Sequence, residues 1–188
     1  MTGALAFLLG SCTATTHPET DEWHALFDVV GTSWSFVGDA TWSFSDGELI
    51  AANATTNSFI VTNRTYSDFR LQAEFYPVDE TNSGIYFRCA PDRLTATECY
   101  EANIADNHQN EQSRTGSLVG YSVPNVRSET INRWNSYEIV ALGTKIQIWT
   151  NGVQTVEFTS ATIPNGVIAL QLFKTGEVRF RNIRIQEL

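Results

Sequence analysis

Alternation of apolar and polar residues dominates the chain. In Asn82-Ser-Gly-Ile-Tyr-Phe-Arg88, Ile85 and Phe87 fall on one side and Tyr86 and Arg88 on the other. In Tyr100-Glu-Ala-Asn-Ile104, Ala102 and Ile104 fall on one side and Glu101 and Asn103 on the other. A period of two is the mark of a half-buried strand. The same period runs through 68–76, where Phe69, Leu71, Ala73 and Phe75 share a face, and through 167–173, where Ile168, Leu170 and Leu172 do. Short strands are also expected over 48–52, 59–62, 117–121 and 177–186, and over 137–142, 145–150 and 153–158, which read as a meander. Asp46-Gly47 and Asn151-Gly152 are favoured hairpin pairs, and Gly143-Thr144 makes a further turn. Polar connections fill 77–84, 90–98, 107–116 and 124–132, and the long 107–116 stretch reads as a functional or mobile loop. No amphipathic helix of about ten residues or more is found. About a dozen short strands separated by turn residues predict an all-β sandwich or jelly roll.

The folded part covers 23–188, about 165 residues, enough for one domain that buries about 70% of its unfolded surface. Apolar residues make up 42% of the 188-residue chain, so a sizeable core is expected. The net charge is −9, which repels a phosphate backbone and sets nucleic acid aside as a partner. Five Trp and six Tyr would suit sugar binding, although large aromatics also fill all-β cores.

Residues 1–12 end in Leu9-Gly10-Ser11-Cys12, similar to a bacterial lipoprotein signal cut before a lipid-bearing Cys, although no basic n-region precedes it. The apolar run is too short to span a bilayer. Cys12 is thus the expected lipidation site and 13–22 a polar tether. The expected location is the bacterial cell envelope, facing the periplasm or cell surface, with membrane contact only through the anchor. Of three cysteines, Cys89 and Cys99 then remain, at the two ends of one loop. In an exported protein they are expected to pair, the alternative being two buried thiols.

Cofactor motifs and a nucleophile elbow are absent from the sequence, and three scattered histidines (His17, His24, His108) make no histidine metal site. Carboxylate chemistry remains. Glu101 and Asp106 stand five residues apart, about 16 Å if extended, too far for a retaining glycosidase pair. The plain structural alternative is that Asp106 caps a turn and Glu101 pairs with Arg88.

Several segments in order, Asn82-Ser-Gly-Ile-Tyr-Phe-Arg88, Tyr100-Glu-x-x-Ile-x-Asp-Asn-His108, Gly116-Ser-Leu-x-Gly120, Arg133-Trp-Asn-x-Tyr-Glu-Ile139, Trp149-x-Asn-Gly-Val153, Ile168-Ala-Leu-Gln171 and Val178 to Leu188, resemble the 3-keto-disaccharide hydrolase family from about Leu26 to Leu188. The resemblance implies a concanavalin-like jelly roll of two antiparallel sheets with its site on the concave face. It implies cleavage of glycosides already oxidised at C3, with a sugar-oxidising partner enzyme to supply them. It places Glu101 or His108 as base, Arg88 as enolate stabiliser, and Asp106 with Gln171 as hydroxyl partners or ligands. Asn82, Ser83, Tyr86 and Asn103 would join the substrate site. Some members use a divalent metal, for which Glu101, Asp106 and Asn103 would supply oxygens. Family members often carry His where this chain has Phe173; here Phe173 would stack on a sugar and Lys174 stand near the oxyanion. The departure keeps a non-catalytic carbohydrate-binding module as the alternative, and a surface-attachment domain as a weaker one.

Overall fold

The computed structural model describes residues 22–26, 34–159 and 161–188. Cys12, nearly all of the tether and Phe27 of the lead-in segment lie outside the described residues.

Two antiparallel sheets stack face to face, as the strand pattern predicts. The larger holds β1 (His24–Ala25), β3 (Thr41–Ser45), β4 (Glu48–Ala52), β6 (Phe69–Pro77), β9 (Asn135–Leu142), β10 (Lys145–Thr150), β11 (Val153–Thr159) and β13 (Glu177–Glu187). Its order is β11-β10-β9-β6-β13-β4-β3, with β1 beside the end of β13. The smaller holds β2 (Trp34–Val37), β5 (Asn57–Tyr66), β7 (Ser83–Cys89), β8 (Tyr100–Ile104) and β12 (Gly166–Phe173), in the order β2-β5-β12-β7-β8. The chain crosses between sheets repeatedly, which interleaves sequence-distant strands and gives the jelly-roll topology. Helical structure among the described residues is limited to a 3₁₀ turn, Glu111–Ser113. Both predicted hairpin pairs adopt the positive φ a type I′ turn requires, at Asp46 and Gly47 and at Asn151 and Gly152.

The alternating apolar faces meet between the sheets. Phe69, Leu71, Ala73 and Phe75 of β6 pack against Ile85 and Phe87 of β7, Tyr100, Ala102 and Ile104 of β8, and Ile168, Leu170 and Leu172 of β12. Phe87 lies edge-on to Phe69, centroids 5.9 Å apart, and 5.7 Å from Tyr100. Core filling accounts for Phe69, Phe75, Phe87, Phe180 and several Tyr, whereas all five Trp are only half-buried, Trp34 and Trp42 packing against the edge of the core.

Two connections differ from expectation. Residues 117–121 form no regular strand; instead Gly116, Ser117 and Val119 exchange backbone hydrogen bonds with Asn103 and Glu101, so the free edge of β8 is covered. The 107–116 loop is tied rather than loose. Asn110 caps its 3₁₀ turn and Asp106 anchors its end, as described below.

Cys89 and Cys99 form a disulfide, Cα atoms 4.6 Å apart, that closes the 90–98 loop. Reduction is expected to cost about 2–3 kcal/mol by the loop-closure relation. Urea midpoints with and without reductant check this; identical midpoints would mean the loop is ordered without the bond.

Candidate functional site

The strand register brings the polar residues of the smaller sheet together on its outer face. One row across β5, β12, β7 and β8 reads Val61, Ala169, Tyr86, Glu101; the next reads Phe59, Gln171, Gly84, Asn103. A third begins Asn57, Phe173, whose backbone N–H donates to the Asn82 carbonyl beyond β7. The apolar members Phe59, Val61, Val167 and Ala169 gather with Tyr86, Leu94 and the disulfide into a second, outer cluster. Polar groups occupy the other half.

Gly84 is the low point of this grid. A Cβ there would stand 2.7 Å from Glu101 Oε1 and 3.0 Å from its Cγ, so the missing side chain is what leaves room for the Glu101 carboxyl. Glu101 is 5% exposed. Burial pushes its carboxyl up to about 7, against a partial pull downward from the Tyr86 hydroxyl that donates to it. Burial and the neighbouring Glu101 push the Tyr86 phenol well above its ordinary value, so it stays protonated. Gln171 Nε2 donates to Tyr86 Oη at 3.2 Å and to Asn57 Oδ1 at 2.9 Å. A chain of donors therefore runs from Gln171 through Tyr86 to Glu101. Two acceptors in the same row are left open: Gln171 Oε1 and Asn103 Oδ1 are buried without a hydrogen-bond partner. Buried polar atoms normally find one, so this pair keeps acceptor capacity that the protein itself does not use. The Asn103 amide is fixed by its donation to the Ser113 carbonyl.

Some expected members lie elsewhere. Arg88 does not share the face of Tyr86. It adopts φ 54° where β7 carries one residue more than β12, a bulge that reverses the alternation and turns its side chain to the opposite side. There it is fully buried, donating to the carbonyls of Ser67 (2.9 Å), Gly143 (2.8 Å) and Ile163 (3.2 Å) and pairing with Asp68 at 2.9 Å. Arg88 ties three connections together and is neither an enolate stabiliser nor the partner of Glu101. Ser83 also points inward, on the face of Ile85, with its hydroxyl on the Gln171 carbonyl at 2.5 Å. Asp106 accepts from Thr115 Oγ1, from Thr130 N and Oγ1, and from Ile131 N at 3.3 Å. It ties the 107–116 and 124–132 connections together. With its oxygens taken, it does not fit as a metal ligand beside Glu101 and Asn103. Among the described residues no three His, Cys, Asp or Glu converge on one point. His108 is half-buried beyond β8, its Nδ1 accepting from Asn110 N at 3.1 Å, and lines a small hollow with Asn82 and Asp106. Asn82, Phe173 and Lys174 border the grid at that end, with Lys174 Nζ 4.9 Å from the Phe173 ring centroid. Asn57, Phe59 and Gly84 complete the site without having been singled out in the sequence.

Solved structures share the architecture. A candidate glycosyl hydrolase from Parabacteroides distasonis superposes with a TM-score of 0.78 at 23% identity, over 89% of this chain and 100% of its own. The carbohydrate-binding module CBM66 from Bacillus subtilis gives 0.67 at 16%, over 83% and 96%. A β-glucanase from Bacillus licheniformis gives 0.62 at 12%, over 89% and 97%. These likenesses establish a fold common to glycoside-cleaving and glycan-binding proteins. No curated protein sequence matches the chain. The model of the 3-keto-alpha-glucoside-1,2-lyase-like domain matches residues 22–186, so the chain belongs to that family, and with it to proteins of carbohydrate-related function.

Proposed function

We propose that the protein cleaves 3-keto-glycosides by β-elimination followed by hydration on the outer face of the smaller sheet. The observation that carries this is a single buried carboxyl, Glu101, tuned to about 7 and held over Gly84 between two open acceptors. A glycosidase of the two-carboxylate kind needs a second carboxyl within about 5–10 Å, and the grid residues named above include only one. Elimination needs one base. A ketone at C3 acidifies the C2 proton; Glu101 removes it, and the electron pair passes into the C3 oxygen as an enolate. The enolate collapses, the C1–O bond breaks, and the leaving oxygen takes the proton from Glu101. Water then adds at C1 and a proton returns to C2, for net hydrolysis. Tyr86 and Gln171 position Glu101, while Asn103 Oδ1 and Gln171 Oε1 accept from sugar hydroxyls. Lys174, the cation at the rim, takes the enolate-stabilising role that Arg88 cannot, and Phe173 offers an apolar face to the sugar ring.

The purified domain should consume a 3-keto-glucoside and release the free keto-sugar. Sugar binding without turnover would instead establish a binding module, which the open acceptors flanked by Phe59 and Phe173 would equally suit. As a base, Glu101 works ionised, so kcat/KM should rise with pH through about 7 and level off above it. A flat profile from pH 5 to 9 would remove Glu101 from that role. The substrate presupposes a partner enzyme that oxidises the sugar at C3. A lipid on Cys12 would hold the domain in the envelope where such glycans arrive.

A further inference from the structure

The outer face of the larger sheet bears a groove of about 760 Å³, within the range of small-ligand sites, on the side of the sandwich away from Glu101. Register lines up Trp149, Glu138, Gln72 and Arg184 in one row across β10, β9, β6 and β13, with Ser136, Glu74 and Arg181 in the next. Two irregularities shape its ends. The β10–β11 pairing shifts at Ile148/Trp149, and β13 shifts between Arg181 and Arg184, where Asn182 has φ 51°. Bulges re-aim side chains and bend strands, and here they flank the hollow.

Its floor is a locked polar network. Gln72 Nε2 donates to Glu138 at 2.8 Å, and Arg184 Nε and Nη2 donate to Gln72 Oε1 at 2.9 and 2.6 Å. Glu74 accepts from Arg181 Nε and from Asn182 Nδ2, both at 2.7 Å. Each carboxylate has a guanidinium partner, Arg181 on Glu74 and Arg70 3.7 Å from Glu138, and Arg184 is held by Gln72 and Trp23, so no bare carboxylate is offered to a cation. The carboxylates keep free lone pairs and the guanidiniums further N–H groups. Alternating donors and acceptors held in place match vicinal hydroxyls, each of which both gives and takes a hydrogen bond.

The aromatic wall points the same way. Guanidiniums cover Trp134 (Arg181, 3.9 Å) and Trp23 (Arg184, 4.8 Å). Trp149 lines the groove with no ring or cation partner among the described residues. A half-buried indole beside a polyol-matching floor presents an apolar face to the C–H side of a pyranose ring.

We propose that this groove is a second, non-catalytic glycan-binding site, taking a neutral oligosaccharide on Trp149. It would retain the protein on a polysaccharide while the opposite face works on a free sugar. The test uses ¹⁵N-labelled full-length domain titrated with cellotriose, maltotriose and laminaritriose. At least one should shift the Trp149 indole N–H and the amides of β6, β9 and β13. Trp149→Ala should weaken that trisaccharide at least ~10-fold, while Glu101→Gln leaves its affinity unchanged. No shift with any of the three, shifts confined to the β7–β8–β12 face, or a Trp149→Ala domain that binds as well as wild type would each overturn the proposal. The wild-type shifts need no variant, so a misfolded substitution leaves the test intact.

Discussion

Glu101→Gln is expected to reduce turnover of a 3-keto-glucoside by about 10²–10⁴-fold, the usual scale for loss of a general base, without loss of fold. Gln has nearly the same shape, still fits over Gly84, and still accepts from the Tyr86 hydroxyl. What it cannot do is take the C2 proton. The substitution should also reveal the cost of the wild-type group. Its folded-state pKa, about 7, lies above the ordinary glutamate value of 4.5, so between those values the native state holds the proton that the unfolded chain has lost. Wild-type stability is therefore greatest below about 4.5 with respect to this group and falls as pH rises through about 7. Glu101→Gln removes that fall. At pH 8 the variant should melt above wild type, and at pH 4 the difference should vanish. Turnover within a few-fold of wild type would end Glu101's candidacy as base.

Arg88→Met is expected to act in the opposite sense, on stability and not on chemistry. Arg88 is fully buried, but Asp68 is 35% exposed and still accepts from Gly143 N, so the loss is about 2–3 kcal/mol, below the ~3–5 kcal/mol typical of a fully buried pair. Here Asp68 loses its charged partner, and the carbonyls of Ser67, Gly143 and Ile163 lose a buried donor. Against a total of about 5–15 kcal/mol for a domain, that is a large share. Arg88→Lys keeps the charge but not the planar fork that reaches four acceptors, so it should recover only part of the loss. Chemical denaturation measures both variants. Turnover per folded molecule should stay close to wild type for each. A thousand-fold loss of turnover with an unchanged denaturation midpoint would make Arg88 a catalytic residue after all.

Most of the fold was legible because period-two patterns are local. β6, β8 and β12 show which face is buried without reference to their neighbours, and the two Gly-bearing hairpin pairs mark their own turns. Glu101, Asn103, Tyr86 and Gln171 were legible for the same reason, since each sits opposite a core residue on a regular strand. Arg88 was not. Alternation assigns it to the face of Tyr86, and only pairing with β12 shows the extra residue that reverses the phase. Ser83 follows its alternation inward, and its motif position alone suggested otherwise. Asp106 depends on Thr115 and Thr130, partners that only tertiary structure brings near. Asn57 lies just before the run read as a strand at 59–62, although β5 begins with it. Gly84 reads as a turn residue, whereas its place in mid-strand matters for the room it leaves Glu101.

Elimination makes one claim that direct displacement at C1 does not, namely that the C2–H bond breaks during turnover. The most direct test is cleavage of a 3-keto-glucoside in D₂O, reading C2 of the newly released keto-sugar by NMR at early times against an enzyme-free control. Deuterium at C2 at the rate of cleavage, lost together with cleavage in Glu101→Gln, is the predicted result. Cleavage that leaves the original hydrogen on C2 would contradict it.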